Sequence, residues 1–238
     1  MINGLLSVFG RRLIKKSRHK EMKQRILEGE RYKRSARLID YFTLTKSKNA
    51  MPLIENLRLS QAQLMQDLFV LDVTDMKRGG FFVEFRAPQT VFHCQIHISF
   101  EKEYGWTGIL CEPAACWHHD LRKNRDCVID TRCVGPKSGD TVIFEENGAP
   151  ELSTIKGYGI DDSHPRKRYG INSYQVETVA LHDLLKTHNA PTDIDYISID
   201  TEGSEQAILE AARLDKYNIR IFTVEHAYTP SGIGSASI

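Results

Sequence analysis

The five cysteines, Cys94, Cys111, Cys116, Cys127 and Cys133, show no CxxC or CxxH spacing. An odd and scattered set reads as reduced thiols of a cytosolic protein, not as a disulfide framework. It gives zinc no ligand pattern, and no metal site is expected. No apolar run approaches the roughly 20 residues that cross a bilayer, so no transmembrane segment is expected. The opening MINGLLSVFGRRLIKK places its apolar part before its charges, the reverse of a secretory signal. A cytoplasmic location is the expectation. No GxGxxG occurs, which counts against an NAD enzyme. The net charge is only +1, so the molecule as a whole has no electrostatic preference for nucleic acid, and none is expected as a partner.

What is present is a chain of 238 residues, long enough for one large α/β domain. The even charge balance hides an asymmetry: the first 50 residues carry about 14 Lys and Arg against about four acids, and the remainder is acidic. This basic segment, taken as residues 1–58, has Leu13, Ile14, Ile26, Leu27, Leu38 and Ile39 at loosely helical spacing. Two readings stay open: solvated helices on the domain surface, or a helix that contacts an anionic partner or a membrane surface.

From residue 59 the pattern alternates. Residues 59–76 read as an amphipathic helix with Ser60 as N-cap and Leu64, Leu68 and Leu71 on one face. Strands are expected at 81–85, 107–111, 127–134, 194–199 and 219–224, with further strands at 140–145 and 174–179. Helices are expected at 114–124, 181–188 and 204–214, and 156–169 reads as a loop near the active face. The adjacent His118 and His119 read as solvated. Alternating strands and helices predict a mostly parallel, doubly wound sheet. In such sheets ligands bind beyond the carboxyl ends of the strands. Acids stand at three of those ends: Glu112, the pair Asp200 and Glu202, and Glu225 with His226. Glu112 reads either as a group that holds a ribose or as a surface turn before Pro113. Asp200 and Glu202 read either as site residues or as caps of the helix that follows.

The stretches SQAQLMQDLFVL, GGFFVEF, EKEYGWTGILCEP, ELSTIKGY, YQVETVALHDLL, IDYISIDTEGSE and IRIFTVEHAYT run from about Ser60 to Thr229. In combination they resemble the FkbM family of S-adenosylmethionine-dependent methyltransferases. The resemblance implies a Rossmann-like methyltransferase fold over residues 59–231. It also implies methylation of a hydroxyl on a small-molecule acceptor such as a saccharide. It implies that Glu84, Ala87, Glu112, Pro113 and Asp200 contact S-adenosyl-L-methionine, with Glu112 on the ribose. Asp200, Glu202 and His226 are then the candidate catalytic residues, Asp200 or His226 taking the acceptor proton.

One departure from the family is large. The family leaves its first strand through a loop of the form GAxDG, where glycine permits positive φ and close approach of the cofactor. This chain has Arg86-Ala87-Pro88-Gln89-Thr90. Regrouping the codons of residues 86–100 from the third base of the Arg86 codon permits GATDGVSLSNTHLL, which is the family pattern. Residues 86–99 are therefore read as out of frame, against the alternative of a divergent loop. Residues 232–238 read as an aberrant tail of the same origin, leaving the fold C-terminally truncated. Two functional expectations compete: a methyltransferase, or a catalytically inactive remnant of that fold that binds no cofactor. A nucleotide-sugar-binding module on the same sheet is a third.

Overall fold

The computed structural model describes residues 29, 32–57, 59–60, 62, 64–86, 98–148, 153–157 and 171–225, with the backbone alone at Arg86, Ile98 and Ser99. The chain divides into two units, Met1–Ile54 and Glu55–Ile238. In the first, helix α1 covers 32–45, with Leu38 buried and Ile39 exposed, and α2 begins at Ala50 and ends at Asn56. The sequence positions Leu13, Ile14, Ile26 and Leu27 lie outside the described residues. Among the described residues no helix is long and apolar enough to cross a membrane.

The second unit is α/β. Strands β1 (Phe81–Arg86), β2 (Thr107–Cys111) and β3 (Val128–Asp130) follow one another, with α4 (Ile98–Tyr104) before β2 and α5 (His118–Asn124) before β3. Helix α3 (Gln66–Val73) precedes β1. After β4 (Cys133–Gly135), β5 (Thr141–Glu146), β6 (Thr154–Ile155) and β7 (Asn172–Ala180) come α6 (Leu181–Thr187), β8 (Asp193–Ile194), β9 (Tyr196–Asp200), α7 (Glu205–Ala211), β10 (Asn218–Ile219) and β11 (Phe222–Val224). The main sheet has the order β11-β9-β1-β2-β3, and all its pairings are parallel. Its strands are rich in β-branched and aromatic residues because β1, β2 and β9 are covered on both faces. The chain moves outward from β1 to β3, then returns to the other side of β1. Strand order therefore reverses at β1, and a crevice is expected beyond the carboxyl ends there.

One face of the sheet packs Val83, Phe85, Ile109, Cys111, Ile197 and Ile199 against Leu181, Leu184 and Leu185 of α6 and Ile208 of α7. Each such side chain contributes about 1.5–3 kcal/mol of burial free energy. On strand β2 the close approach of the neighbouring strand leaves no room for a side chain at one position. A Cβ on Gly108 would lie 2.5 Å from the Phe82 carbonyl oxygen and 2.8 Å from its ring. Gly108→Ala should lower the melting temperature by about 2–10 °C, from about 1–3 kcal/mol of overpacking. A thermal melt followed by circular dichroism checks this, and an unchanged midpoint would mean that the sheet yields at no cost.

The structure departs from the sequence-based expectations at four places, each with a local cause. The helix expected over 59–76 is confined to Gln66–Val73, and Ser60 does not cap it. Instead Ser60 Oγ donates to buried Asp67 Oδ1 at 2.7 Å, and Met65 takes a left-handed φ of 60°, which a continuous helix does not tolerate. Leu64 is exposed while Leu68 and Leu71 are buried. The strand expected over 127–134 is two strands. Asp130 draws in the Arg132 amide and guanidinium at 2.6–3.2 Å, turning the chain so that β4 joins a second sheet of order β4-β7-β5-β6. The expected 194–199 strand breaks at Asp195, whose carboxylate accepts from Lys77 Nζ at 2.8 Å and from the Phe81 amide at 3.0 Å. Its partner, expected over 219–224, breaks in the same way into β10 and β11, which pair with β8 and β9.

Candidate active site

The parallel register carries the ends of β1, β2 and β9 to one edge. Arg86 pairs with Asp200, and Phe85 lies between Cys111 and Ile199. Glu112 follows β2 directly, so Glu112 and Asp200 stand at the same end of the sheet. Both line a cavity of about 40 Å³, together with Phe85, Pro113, Phe144, Thr154, Thr201 and Ser204. The roof residues Phe144 and Thr154 come from the antiparallel pair β5 and β6. Sequence reasoning placed β5 but neither the short β6 nor their part in the cavity, because alternation does not reveal which sheet a strand joins.

Glu112 is fully buried, so the surface-turn reading fails. Its Oε1 accepts the Ala114 amide at 2.7 Å, while Oε2 has no hydrogen-bond partner among the described residues. Burial pushes its carboxyl well above the usual carboxylate range; the Ala114 amide opposes this, and the charges of Glu84, Asp200 and Glu146 add to it. A buried carboxylate oxygen without a donor costs free energy and is matched by a ligand that brings hydroxyl groups.

The turn that carries Glu112 is held by residues the sequence reading missed or misjudged. His118 is not simply solvated: its Nε2 lies 2.8 Å from the Glu112 carbonyl oxygen. Tyr174 Oη accepts the Ala115 amide at 2.9 Å and lies 2.9 Å from Glu146 Oε2 and 3.2 Å from the Pro113 carbonyl oxygen. Glu146 Oε2 also accepts the Cys116 amide at 3.1 Å. The sequence placed Tyr174 only at the start of the strand expected over 174–179; its place opposite Phe144 comes from the pairing of β5 with β7.

Asp200 ends β9 and is half-buried at the cavity. Ser204 stands at the N-cap of α7 with no side-chain cap bond, and Glu205 Oε1 accepts the amides of Thr201 and Gly203 in the preceding turn at 2.9 and 3.0 Å. Glu202 sits in the intervening turn with a left-handed φ of 58°, a conformation that costs a non-glycine residue free energy. Its carbonyl oxygen accepts from Thr154 Oγ1 at 3.1 Å, tying β6 to the turn. Its side chain is not among those lining the cavity. Glu84 is buried and its Oε2 lies 3.4 Å from both terminal nitrogens of Arg125. Glu225 is exposed beyond β11. Ala87 and His226 lie outside the described residues, as does most of the 156–169 loop. Among the described residues no cluster of His, Cys, Asp and Glu has the arrangement of a metal site.

Residues 92–236 match the family model described as the Methyltransferase FkbM domain. Neither the curated proteins nor the solved structures include a match to the chain.

Proposed function

The chain belongs to the FkbM methyltransferase family, and from that premise we propose that it is an S-adenosyl-L-methionine-dependent O-methyltransferase of Rossmann-like fold. Its acceptor is then a hydroxyl of a saccharide or similar small metabolite. The observation that carries the reading is Oε2 of buried Glu112, which has no hydrogen-bond partner among the described residues, on the cavity that Asp200 also lines. An orphaned buried acceptor at the tip of β2 fits the vicinal hydroxyls of a ribose. Family membership favours this reading over an inactive remnant. The four described cysteines are free, which supports a reducing, cytoplasmic setting.

When bound, the cofactor supplies an electrophilic methyl group. Glu112 would accept hydrogen bonds from its ribose and Pro113 would line the same pocket, while Glu84, paired with Arg125, is not among the residues lining the cavity. Asp200, less buried than Glu112, would take the proton from the acceptor hydroxyl, with His226 as the second candidate base and Glu202 as a further catalytic candidate. Phe85 and Phe144 give the cavity apolar walls that exclude water. Most of the catalysis is positioning of methyl group and acceptor.

Asp200→Asn tests the assignment. Turnover should fall by about 10²–10⁴-fold, the range for loss of a general base, while the Kd for S-adenosylmethionine changes little. Unchanged turnover would remove Asp200 from the chemistry.

A further inference from the structure

Directly after β2 the chain offers three successive amides, and side chains from the end of β2, from β7 and from β5 take them. Glu112 Oε1 accepts the Ala114 amide at 2.7 Å, Tyr174 Oη that of Ala115 at 2.9 Å, and Glu146 Oε2 that of Cys116 at 3.1 Å. In the antiparallel pairing of β5 with β7, Tyr174 stands opposite Phe144, and Asn172 opposite Glu146. Residues two apart on a strand share a face, so Phe144, Glu146 and Tyr174 lie on one side of the second sheet. The Phe144 and Tyr174 rings have centroids 5.8 Å apart. The group reaches the cavity directly, since Glu112, Pro113 and Phe144 all line it.

Tyr174 is the centre of this group. Its hydroxyl lies 2.9 Å from Glu146 Oε2 and 3.2 Å from the Pro113 carbonyl oxygen, and its single proton serves one of them at a time. Burial raises its pKa above the ordinary tyrosine range, the Ala115 amide opposing and Glu146 adding, so the proton stays on the hydroxyl. Glu146 is a costly choice for a turn that needs only its amides filled. Burial is the main reason that Glu112 resists ionisation, and the charges of Glu84, Asp200 and Glu146 add to it. A neutral acceptor would satisfy the same amide without that cost. What the arrangement secures is direction. Oε1 is held on the Ala114 amide and the next two amides are fixed, which leaves Glu112 Oε2 without a hydrogen-bond partner among the described residues.

We propose that Tyr174, anchored by Glu146, is a positioning residue for the cofactor site: it fixes the turn after β2 so that the Glu112 carboxylate is held for a ribose. This rests on the cofactor reading above. Tyr174 is not among the residues lining the cavity, so it acts through Glu112.

The test uses the full chain in four forms: the parent, Tyr174→Phe, Glu112→Gln and the double variant. Phenylalanine keeps the ring against Phe144 and removes only the hydroxyl. S-adenosylmethionine titration by calorimetry and residue-resolved amide exchange by NMR are read on each, with thermal melts alongside. Tyr174→Phe should weaken cofactor binding by about tenfold or more in the parent and by less than about threefold in Glu112→Gln, where the group it positions is already altered. Equal losses in the two backgrounds, or no loss in either, overturn the proposal. In the ligand-free protein Tyr174→Phe should speed exchange by about tenfold at Ala114, the amide that Glu112 holds, as well as at Ala115, with β9 and α6 unchanged. A rise confined to Ala115, or one shared by β9 and α6, makes the hydroxyl a purely structural contact and also overturns it. A parent that binds no cofactor would count against the functional reading, and the exchange data then decide alone: a joint rise at Ala114 and Ala115 upholds the positioning of Glu112, and any other pattern overturns it.

Discussion

Replacing residues 86–99 by GATDGVSLSNTHLL should tighten S-adenosylmethionine binding by about 10²-fold. The segment as written carries Arg86 and Thr90 where the family turn has glycine; Arg86 ends β1 without a positive φ, and following the family turn with a Cβ at a left-handed position costs about 1–2 kcal/mol per site. Two such sites together account for a factor of about 10²; each 1.4 kcal/mol is tenfold. Pro88 adds to this by removing an amide that a ligand loop can offer and by driving Ala87 from helical geometry. The family match begins at residue 92 and so leaves out the turn itself. The replacement keeps what holds the next helix. Phe100 is buried, stacks on Trp106 with ring centroids 4.7 Å apart, and meets the Tyr196 ring edge-on at 6.3 Å. The replacement leaves Phe100, the last codon of the regrouped stretch, and these contacts in place, and the frame agrees with the family again from Glu101. Calorimetric titration of both chains checks the prediction. Equal and tight binding by the two would show that Arg86-Ala87-Pro88-Gln89-Thr90 is a working loop and that the frame argument is wrong.

The residues that were legible in the sequence are those whose surroundings are set by strand direction. FFVEF, TGILC and YISID announce buried parallel strands, and an acid at the end of each such strand arrives at the same edge whatever the details of packing. That is why Glu112 and Asp200 were found together. The breaks at Asp130 and Asp195 were not legible, because each depends on a partner far away or on a turn geometry that no periodicity encodes. Lys77 lies 118 positions from Asp195. Tyr174 and Glu146 were missed for the same reason: they fix the Glu112 turn from another sheet. Arg125 looks like any solvated basic residue at a helix end, and only burial by Glu84 and Glu101 marks it out. Burial opposes its charge, yet the two carboxylates hold its pKa above the ordinary arginine range.

Glu112→Gln should stabilise the ligand-free protein and weaken cofactor binding, a pair of effects with opposite sign. Burial raises the folded-state pKa of Glu112 well above 4.5, its ordinary value. Below about pH 4.5 both folded and unfolded chains carry the proton, and the group costs nothing. As pH rises from there toward the folded-state pKa, the unfolded chain ionises first, and the folded protein loses stability. Glutamine keeps the acceptor for the Ala114 amide and never ionises. The variant should therefore melt a few degrees above the parent at pH 7–8, with about 2–4 °C per kcal/mol for a chain of this size, and the two melts should converge below about pH 4.5. In the bound state the balance reverses. Ribose hydroxyls donate to the ionised carboxylate, a charge-assisted contact of about 1.5–3 kcal/mol, so the amide should bind S-adenosylmethionine about 10–100-fold more weakly. Because those hydroxyls favour the ionised form, cofactor binding should release a proton from Glu112, and affinity should rise with pH until the group is ionised in the free protein. Melts across pH 4–8 and titrations in two buffers of different ionisation enthalpy, run on the parent and on the glycine-restored chain, read both effects. A variant that melts lower at neutral pH and binds the cofactor as the parent does would make Glu112 a structural carboxylate and take the ribose contact away from it.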